Sequence, residues 1–269
     1  QIEEETNYKD GKLNGMHTEW YENGQIQSEA NYKDGKQDGE FNTWYKNGQK
    51  QLEGNTKDDQ FDGKQTMWYE NGQIMCVSTN KKDGKEDGEL TCWYKSGEIE
   101  SKLNYKDGNF DGKQTVWYEN GQIKSEENWK DGKAYGKWTE WYENGQIKTE
   151  GNYKDGKLDG KWTVWHENGQ IKTEGNYKDD KKDGNGGFDD RDGKWTWWYE
   201  NGQIYGKANY IDGKLDGKST WWLENGQEEF EENWKDGELD GKLTYWYENG
   251  QIKSEATYKN GECISGDCD

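Results

Sequence analysis

Trp141-Tyr142-Glu143-Asn144-Gly145-Gln146-Ile147 is the stretch that decides the fold, because it recurs with small edits along the whole chain. Its leading Trp falls at Trp20, Trp44, Trp68, Trp93, Trp117, Trp141, Trp165, Trp198, Trp222 and Trp246. Neighbouring copies lie 24 residues apart, except for a step of 25 from Trp68 to Trp93 and a step of 33 from Trp165 to Trp198. A fixed period of this size is the signature of a repeat architecture. Nine of the ten copies carry Asn-Gly, at Asn23, Asn47, Asn71, Asn120, Asn144, Asn168, Asn201, Asn225 and Asn249, and the tenth has Ser96-Gly97. Asn-Gly between two strand-like runs predicts a β-hairpin with a type I′ turn, which needs positive φ at both central residues.

Residues 160 to 177 serve as the type repeat. Residues 161–166 form one predicted strand, Asn168-Gly169 the turn, and residues 170–177 the return strand. A two-residue loop sets Glu167 opposite Gln170. His166 then meets Ile171, Val164 meets Thr173 and Trp162 meets Gly175 on one face, since side chains alternate along a strand. The other face carries Trp165 with Lys172, Thr163 with Glu174, and Lys161 with Asn176. One face is thus aromatic and aliphatic, while the other is polar apart from the recurrent Trp. The second connection, Lys154-Asp155-Gly156-Lys157-Leu158-Asp159-Gly160, holds two Asp-Gly pairs and predicts a longer, Gly-dependent loop. Hairpin therefore follows hairpin, and the expected fold is all-β: a β-hairpin repeat array, a single-layer antiparallel meander or solenoid with a repeat of about 24 residues. Residues 1–262 make ten hairpin repeats plus an N-terminal half repeat, with an insertion at 178–193, and residues 263–269 form a Cys-containing C-terminal tail.

Composition alone points elsewhere. Only 28% of the 269 residues are hydrophobic and the net charge is -20, a balance that normally leaves a chain disordered. Seventeen Trp and 18 Tyr on a strict period oppose that, because a few aromatic side chains per repeat supply the apolar area of an aliphatic core. The 37 Gly and the absence of Pro suit a continuous β meander, with Gly at positive-φ turns and no ladder donor removed. The acidic balance argues against nucleic acid and anionic lipid. No 18-residue apolar run exists, so membrane insertion is not expected.

The run Tyr153-Lys154-Asp155-Gly156-Lys157-Leu158-Asp159-Gly160-Lys161-Trp162-Thr163-Val164-Trp165-His166-Glu167-Asn168-Gly169 resembles the variant MORN repeat of bacterial proteins labelled the YwqK-type antitoxin family. The likeness covers essentially the whole chain, and the ending Cys263-Ile264-Ser265-Gly266-Asp267-Cys268-Asp269 is similar to one seen in that family. The resemblance implies a MORN-like β-hairpin array that serves as a binding or scaffolding surface. Its label implies an acidic protein that neutralises a basic toxin.

The departures from the period carry the remaining candidates. One extra residue near Asn80-Lys81-Lys82 predicts a longer loop or a bulge. The insertion at 178–193 gathers Asp179, Asp180, Asp183, Asp189, Asp190 and Asp192, whose oxygens are candidate Ca2+ ligands; a solvated acidic loop is the plainer alternative. An EF-hand is excluded, because Phe188 stands where its Gly must be and Lys194 where its final Glu must be. His17 and His166 are the two histidines, and His166 occupies a position that is Tyr in most copies, so packing is its expected role. Catalysis needs a unique convergent constellation, and a unit copied ten times offers none, so no enzyme and no other cofactor is expected. Cys76 and Cys92 fall on adjacent strands and one face, and Cys263 and Cys268 close a short terminal loop, giving two candidate disulfides. Together with a chain that opens on Gln1 just after a hairpin turn, as a processed protein or a fragment of a longer array does, they favour a secreted or cell-surface protein. Four reduced thiols in a cytoplasmic protein are the alternative.

The functional expectation is a non-catalytic scaffold whose acidic, aromatic-rich surface binds a protein or a glycan, with the Trp ladder as candidate binding residues. The tyrosines that follow these Trp form a second candidate row. The alternatives are a self-assembling protein, joined end to end through unpaired terminal strands at residues 1–8 and 253–258, and an antitoxin-like partner of a basic toxin.

Overall fold

A computed structural model describes residues 3–178 and 191–268. The chain divides into two compact units, Gln1–Lys133 and Ala134–Asp269. Each is an antiparallel meander of hairpins, and among the described residues there is no helix.

The type repeat shows how far the sequence dictates register. Strand Gly160–Trp165 pairs with Ile171–Tyr177, setting Lys161 opposite Asn176, Trp162 opposite Gly175, Thr163 opposite Glu174 and Val164 opposite Thr173. Next to the turn the pairing departs from expectation: Trp165 faces Ile171 and not Lys172. The cause is the turn itself. Gly169 N–H donates to the His166 carbonyl at 2.9 Å, and His166 N–H donates to the Gln170 carbonyl at 2.8 Å. Gly169 has φ +84°, but none of the nine Asn of the Asn-Gly pairs has positive φ. These features define a three-residue loop, a type I turn followed by a left-handed Gly, and not a type I′ turn. Asn168 is held in the right-handed region because its Oδ1 accepts the Gln170 N–H at 3.0 Å, an arrangement repeated at Asn23 and Asn201.

The type I′ turns lie at the other edge. Asp155 (φ +51°) and Gly156 (φ +86°) are both left-handed, with Lys154 opposite Lys157. The expected longer loop is therefore a tight turn followed by a bulge. Tyr153 faces Leu158, but farther along Thr149 faces Val164, so two extra residues are accommodated at Asp159-Gly160. Asp159 N–H donates to the Asn152 carbonyl at 2.9 Å, and Gly160 takes φ +85°.

The irregular steps are absorbed locally. The extra residue splits one strand into Ile74–Ser78 and Lys81–Lys82, and the latter pairs with Lys85–Glu86 as a separate two-stranded ribbon. Across the insertion, Ile171–Tyr177 still pairs with Arg191–Trp198. Residues 253–258 are not a free edge: Ile252–Lys259 pairs on its outer side with Glu262–Gly266, because Asn260-Gly261 forms one more left-handed turn.

Packing in the second unit rests on matching large residues with absent ones. Trp138 and Trp162 stack at 5.2 Å across Gly151, where a Cβ would come within 2.1 Å of the Trp162 ring. Gly175 seats Trp195 in the same way, and Trp195 is only 2% exposed. Tyr177 closes both contacts edge-on, 5.8 Å from Trp162 and 5.1 Å from Trp195. When the stacked pair shifts along the strand to Trp197 and Trp221, the vacant Cβ shifts with it to Gly206. Where Ser219 replaces the aromatic, Glu232 occupies the facing position and accepts its hydroxyl at 3.1 Å. Aromatic pairs of this geometry add about 1 kcal/mol each beyond their buried area. Replacing Gly175 by Val is expected to destabilise the second unit by about 1–3 kcal/mol through overpacking. Tryptophan-fluorescence melting reads the loss, and an unchanged melting curve would contradict this seat.

Candidate interaction surface

The ten ladder Trp, Trp20 to Trp246, are all half-buried. Alternation along the strand puts Thr two residues and Lys four residues before the ladder Trp on the same face in seven of the ten copies, the exceptions being Met16 before Trp20, Glu40 and Asn42 before Trp44, and Glu89 before Trp93. The Thr are buried, as at Thr139, Thr163, Thr220 and Thr244. Cross-strand Lys–Glu pairs lie over them: Lys161 to Glu174 at 2.8 Å, Lys218 to Glu231 and Lys113 to Glu126 at 2.6 Å, and Lys137 with Glu150. A groove of about 280 Å3 runs between two successive repeats here, with Lys137, Glu150, Lys161, Thr163, Trp165 and Glu174 in its lining. The corresponding groove between the repeats of Trp198 and Trp222, of about 330 Å3, has Lys207 at the position of Glu150 and is lined also by Lys194, Trp195, Thr196, Lys218 and Thr220. In the first unit, Asn42, Glu53, Lys64 and Thr66 line one of about 350 Å3. Two copies place a cation against the Trp rings: Lys50 lies 5.9 Å from both Trp44 and Trp68, and Lys207 lies 5.6 Å from Trp222.

The tyrosine row does something different. Tyr21 Oη donates to the Trp44 carbonyl at 2.7 Å, Tyr45 to Trp68 at 2.8 Å, Tyr69 to Trp93 at 2.8 Å and Tyr94 to Trp117 at 2.7 Å. In the second unit Tyr142 donates to Trp165 and Tyr199 to Trp222, both at 2.8 Å. Each bond ties one repeat to the next. Asn side chains add a parallel set, with Asn23 Nδ2 donating to the Lys46 carbonyl and Asn168 Nδ2 to the Glu200 carbonyl, both at 2.8 Å. His166 keeps the tie where Tyr is missing, its Nε2 lying 3.0 Å from the Trp198 carbonyl across the insertion. His17 stands in the aromatic packing position, 3.0 Å from the Thr6 hydroxyl and edge-on to Tyr32 at 5.7 Å.

The residue after each tyrosine position sits on the exposed Asn-Gly edge. In the second unit it is always a carboxylate: Glu143, Glu167, Glu200, Glu224 and Glu248. In the first unit it alternates through Glu22, Lys46, Glu70, Lys95 and Glu119. This difference is plain in the sequence once the period is known, but composition hides it.

Both cysteine pairs are bonded. Cys76 faces Cys92 across neighbouring strands with 4.0 Å between Cα atoms, and Cys263 joins Cys268 with 5.8 Å between them. Of the candidate Ca2+ ligands, Asp179, Asp180, Asp183, Asp189 and Asp190 lie outside the described residues, and Asp192 stands in a strand opposite Asn176. Among the described residues no three acidic, His or Cys side chains are grouped to hold a metal ion. Nor, among them, is any helix long and apolar enough to cross a membrane.

The model of the MORN repeat variant matches residues 13–34, 37–58, 61–79, 86–107, 110–131, 134–155, 158–179, 191–212 and 239–260. These matches cover well over half of the sequence, and the chain belongs to the MORN repeat variant family. The full period left unmatched, between 213 and 238, has Leu223 where most copies have Tyr and Glu228 where most have Ile. No curated protein matches the chain. Among solved structures it is similar to the crystal structure of TcdB2-TccC3, at 13% identity over 97% of this chain and 17% of that chain, with a TM-score of 0.20. It is also similar to the Photorhabdus luminescens Tc holotoxin pore carrying a TccC3 mutation, at 13% identity over 98% of this chain and 17% of that one, with a TM-score of 0.19. The chain thus spans about a sixth of the length of those proteins, and TM-scores this low bear on neither fold nor function.

Burial pushes the phenols of Tyr69 and Tyr199 above the ordinary tyrosine range, and nearby Glu100 acts in the same direction at Tyr69, as do Tyr205, Glu229 and Glu224 at Tyr199. An unfolded tyrosine ionises near pH 10, while these folded phenols hold their protons to higher pH, so the unfolded chain binds fewer protons and stability falls as pH rises through and beyond about 10. The Tyr69→Phe/Tyr199→Phe double variant is expected to be less stable at neutral pH, by about 1 kcal/mol per lost bond. It should also lose less on going to alkaline pH. Denaturant melts at both pH values check this, and parallel losses in the two proteins would contradict it.

Proposed function

We propose that this chain is a non-catalytic scaffold that holds a macromolecular partner on an acidic, aromatic-lined surface outside the cell. The observation that carries the proposal is the carboxylate row of the second unit, one exposed Glu per repeat at an edge fixed by backbone and side-chain hydrogen bonds. Consecutive copies lie two strands apart, roughly 10 Å. Such a row attracts and orients a basic partner at long range. A basic protein is also the partner that the likeness to the YwqK-type antitoxin proteins implies. A non-catalytic role follows from the repetition: the same side chains return at the same positions, whereas catalysis demands one convergent set. The paired cysteines support an oxidising compartment, secreted or at the cell surface.

Poly-L-lysine serves as the basic probe. Binding to the intact chain is expected at low salt, to weaken steeply as salt rises, and to disappear when Glu143, Glu167, Glu200, Glu224 and Glu248 are all changed to Lys. The fold tolerates Lys there, since Lys46 and Lys95 occupy the same position in the first unit. Binding unaffected by the five substitutions would remove the acidic edge as the partner site. For the compartment, the chain purified from its native source without reductant should resist iodoacetamide at all four cysteines until it is reduced. Four alkylated cysteines in the unreduced protein would refute the extracellular assignment.

A further inference from the structure

We infer that the Trp-ladder face of the second unit binds a linear, neutral, β-linked polysaccharide, laid across the strands so that successive repeats meet successive disaccharides. This goes beyond the acidic edge and uses a different surface. Three observations converge on it. The first is the chemistry of the groove between successive repeats. Lys137 is paired with Glu150, and Lys161 with Glu174. The groove therefore offers strong donors and strong acceptors side by side while its paired charges cancel, with the Thr163 position between them. A polyhydroxylated ligand needs both kinds of partner and carries no charge. A polyanion is repelled by a chain of net charge -20, and a polycation finds the carboxylate row of the edge.

The second observation is the wall. Trp165 and Ile171 flank the same groove, and Trp165 is half-buried, so one part of its indole is fixed by the fold while another faces the groove. A flat apolar wall beside a few fixed polar groups is the make-up of a site that orients a ligand by its hydrogen bonds. Sugar rings present apolar C–H faces to aromatic walls and hydroxyls to polar floors. The third observation is the period. Equivalent side chains in successive repeats are two strands apart, roughly 10 Å, which is also the length of one disaccharide in an extended β-linked chain. The groove beside Trp165, of about 280 Å3, bridges two successive repeats, and its counterpart of about 330 Å3 does the same with Lys194, Lys207 and Lys218 in its lining, the last paired with Glu231. A helical α-linked glucan has no such spacing.

Titration calorimetry of the intact chain against cellobiose, cellotetraose and cellohexaose tests this, with maltohexaose as the α-linked control and high salt throughout to silence the acidic edge. Affinity is expected to rise about tenfold or more from cellobiose to cellohexaose, because each added disaccharide engages a further repeat. Maltohexaose is expected to bind far more weakly. Trp165→Ala should weaken cellohexaose binding. So should the Lys161→Ser/Glu174→Ser pair, by about fivefold, the effect of one or two lost hydrogen bonds. That second variant removes both partners of one surface ion pair together, leaving neither charge unpaired, and should keep the melting behaviour of the parent. No heat from cellohexaose, xylohexaose or chitohexaose would overturn the inference, as would equal binding of maltohexaose or full affinity in both variants. Capture of poly-L-lysine at low salt is a separate reading of the edge, so the two proposals fail independently.

Discussion

The amide of the glycine in the Asp-Gly turns from Gly35 onward donates to a strand carbonyl of the preceding repeat. Gly35 reaches Leu13 and Gly108 reaches Glu86 in the first unit; Gly156 reaches Ala134, Gly213 reaches Arg191 and Gly237 reaches Leu215 in the second, all at 2.8 to 3.0 Å. Only a turn with two left-handed residues presents the amide in this way, which is why Asp or Asn precedes Gly in nearly every copy. The acceptor lies about one repeat back, so the bond also fixes the period: a longer or shorter connection would carry the amide past its partner. At the opposite edge the tyrosine hydroxyls do the same toward the following repeat. Within each unit the repeats are thus clamped at both margins, and a sheet with few aliphatic side chains is held by its edges as much as by its middle. Such a chain is stabilised by nearest-neighbour terms that add along the array.

Much of this was legible in the sequence, and the exceptions have physical causes. The Trp spacing gave the repeat, and alternation gave the four central cross-strand pairs of the type hairpin, such as Trp162 with Gly175. The turn types were misassigned because Asn-Gly and Asp-Gly both suit a left-handed pair. The dipeptide does not separate them, since Asn260-Gly261 is itself a left-handed pair; at the ladder edge the Asn Oδ1 accepts the Gln amide two residues on, and the loop holds one residue more. That added residue moves Ile171 opposite Trp165. The size matching of Gly151, Gly175 and Gly206 with Trp162, Trp195 and Trp221 was also written in the sequence. It becomes visible only when the register between repeats is known, because each glycine meets the aromatic of a strand that follows it by a full turn of the chain.

The same logic separates structural from presentable side chains. Tyrosines that follow the ladder Trp look like a binding row in the sequence, yet all but the last have a repeat after them, and those with a hydroxyl bond to its carbonyl are ties. Tyr247, the last of the row in this sequence, is 51% exposed. Ladder Trp, the Lys–Glu pairs above the buried Thr, and the edge carboxylates are left facing outward. One repeat therefore generates two chemically distinct surfaces, a charge-balanced aromatic groove and an acidic edge. Substitutions at single positions, such as Glu to Lys at Lys46 and Lys95, alter the surface without touching the clamps.

Site-resolved amide hydrogen exchange on the glycines of the Asp-Gly turns tests this account most directly. Exposed tight turns ordinarily exchange fast. The clamp predicts that Gly156, Gly213 and Gly237 exchange as slowly as the amides of the adjoining strands. Exchange of these three glycines at the rate of a free loop would show that the edges do not hold the repeats, and the packing of Trp against Gly would then have to carry the fold by itself.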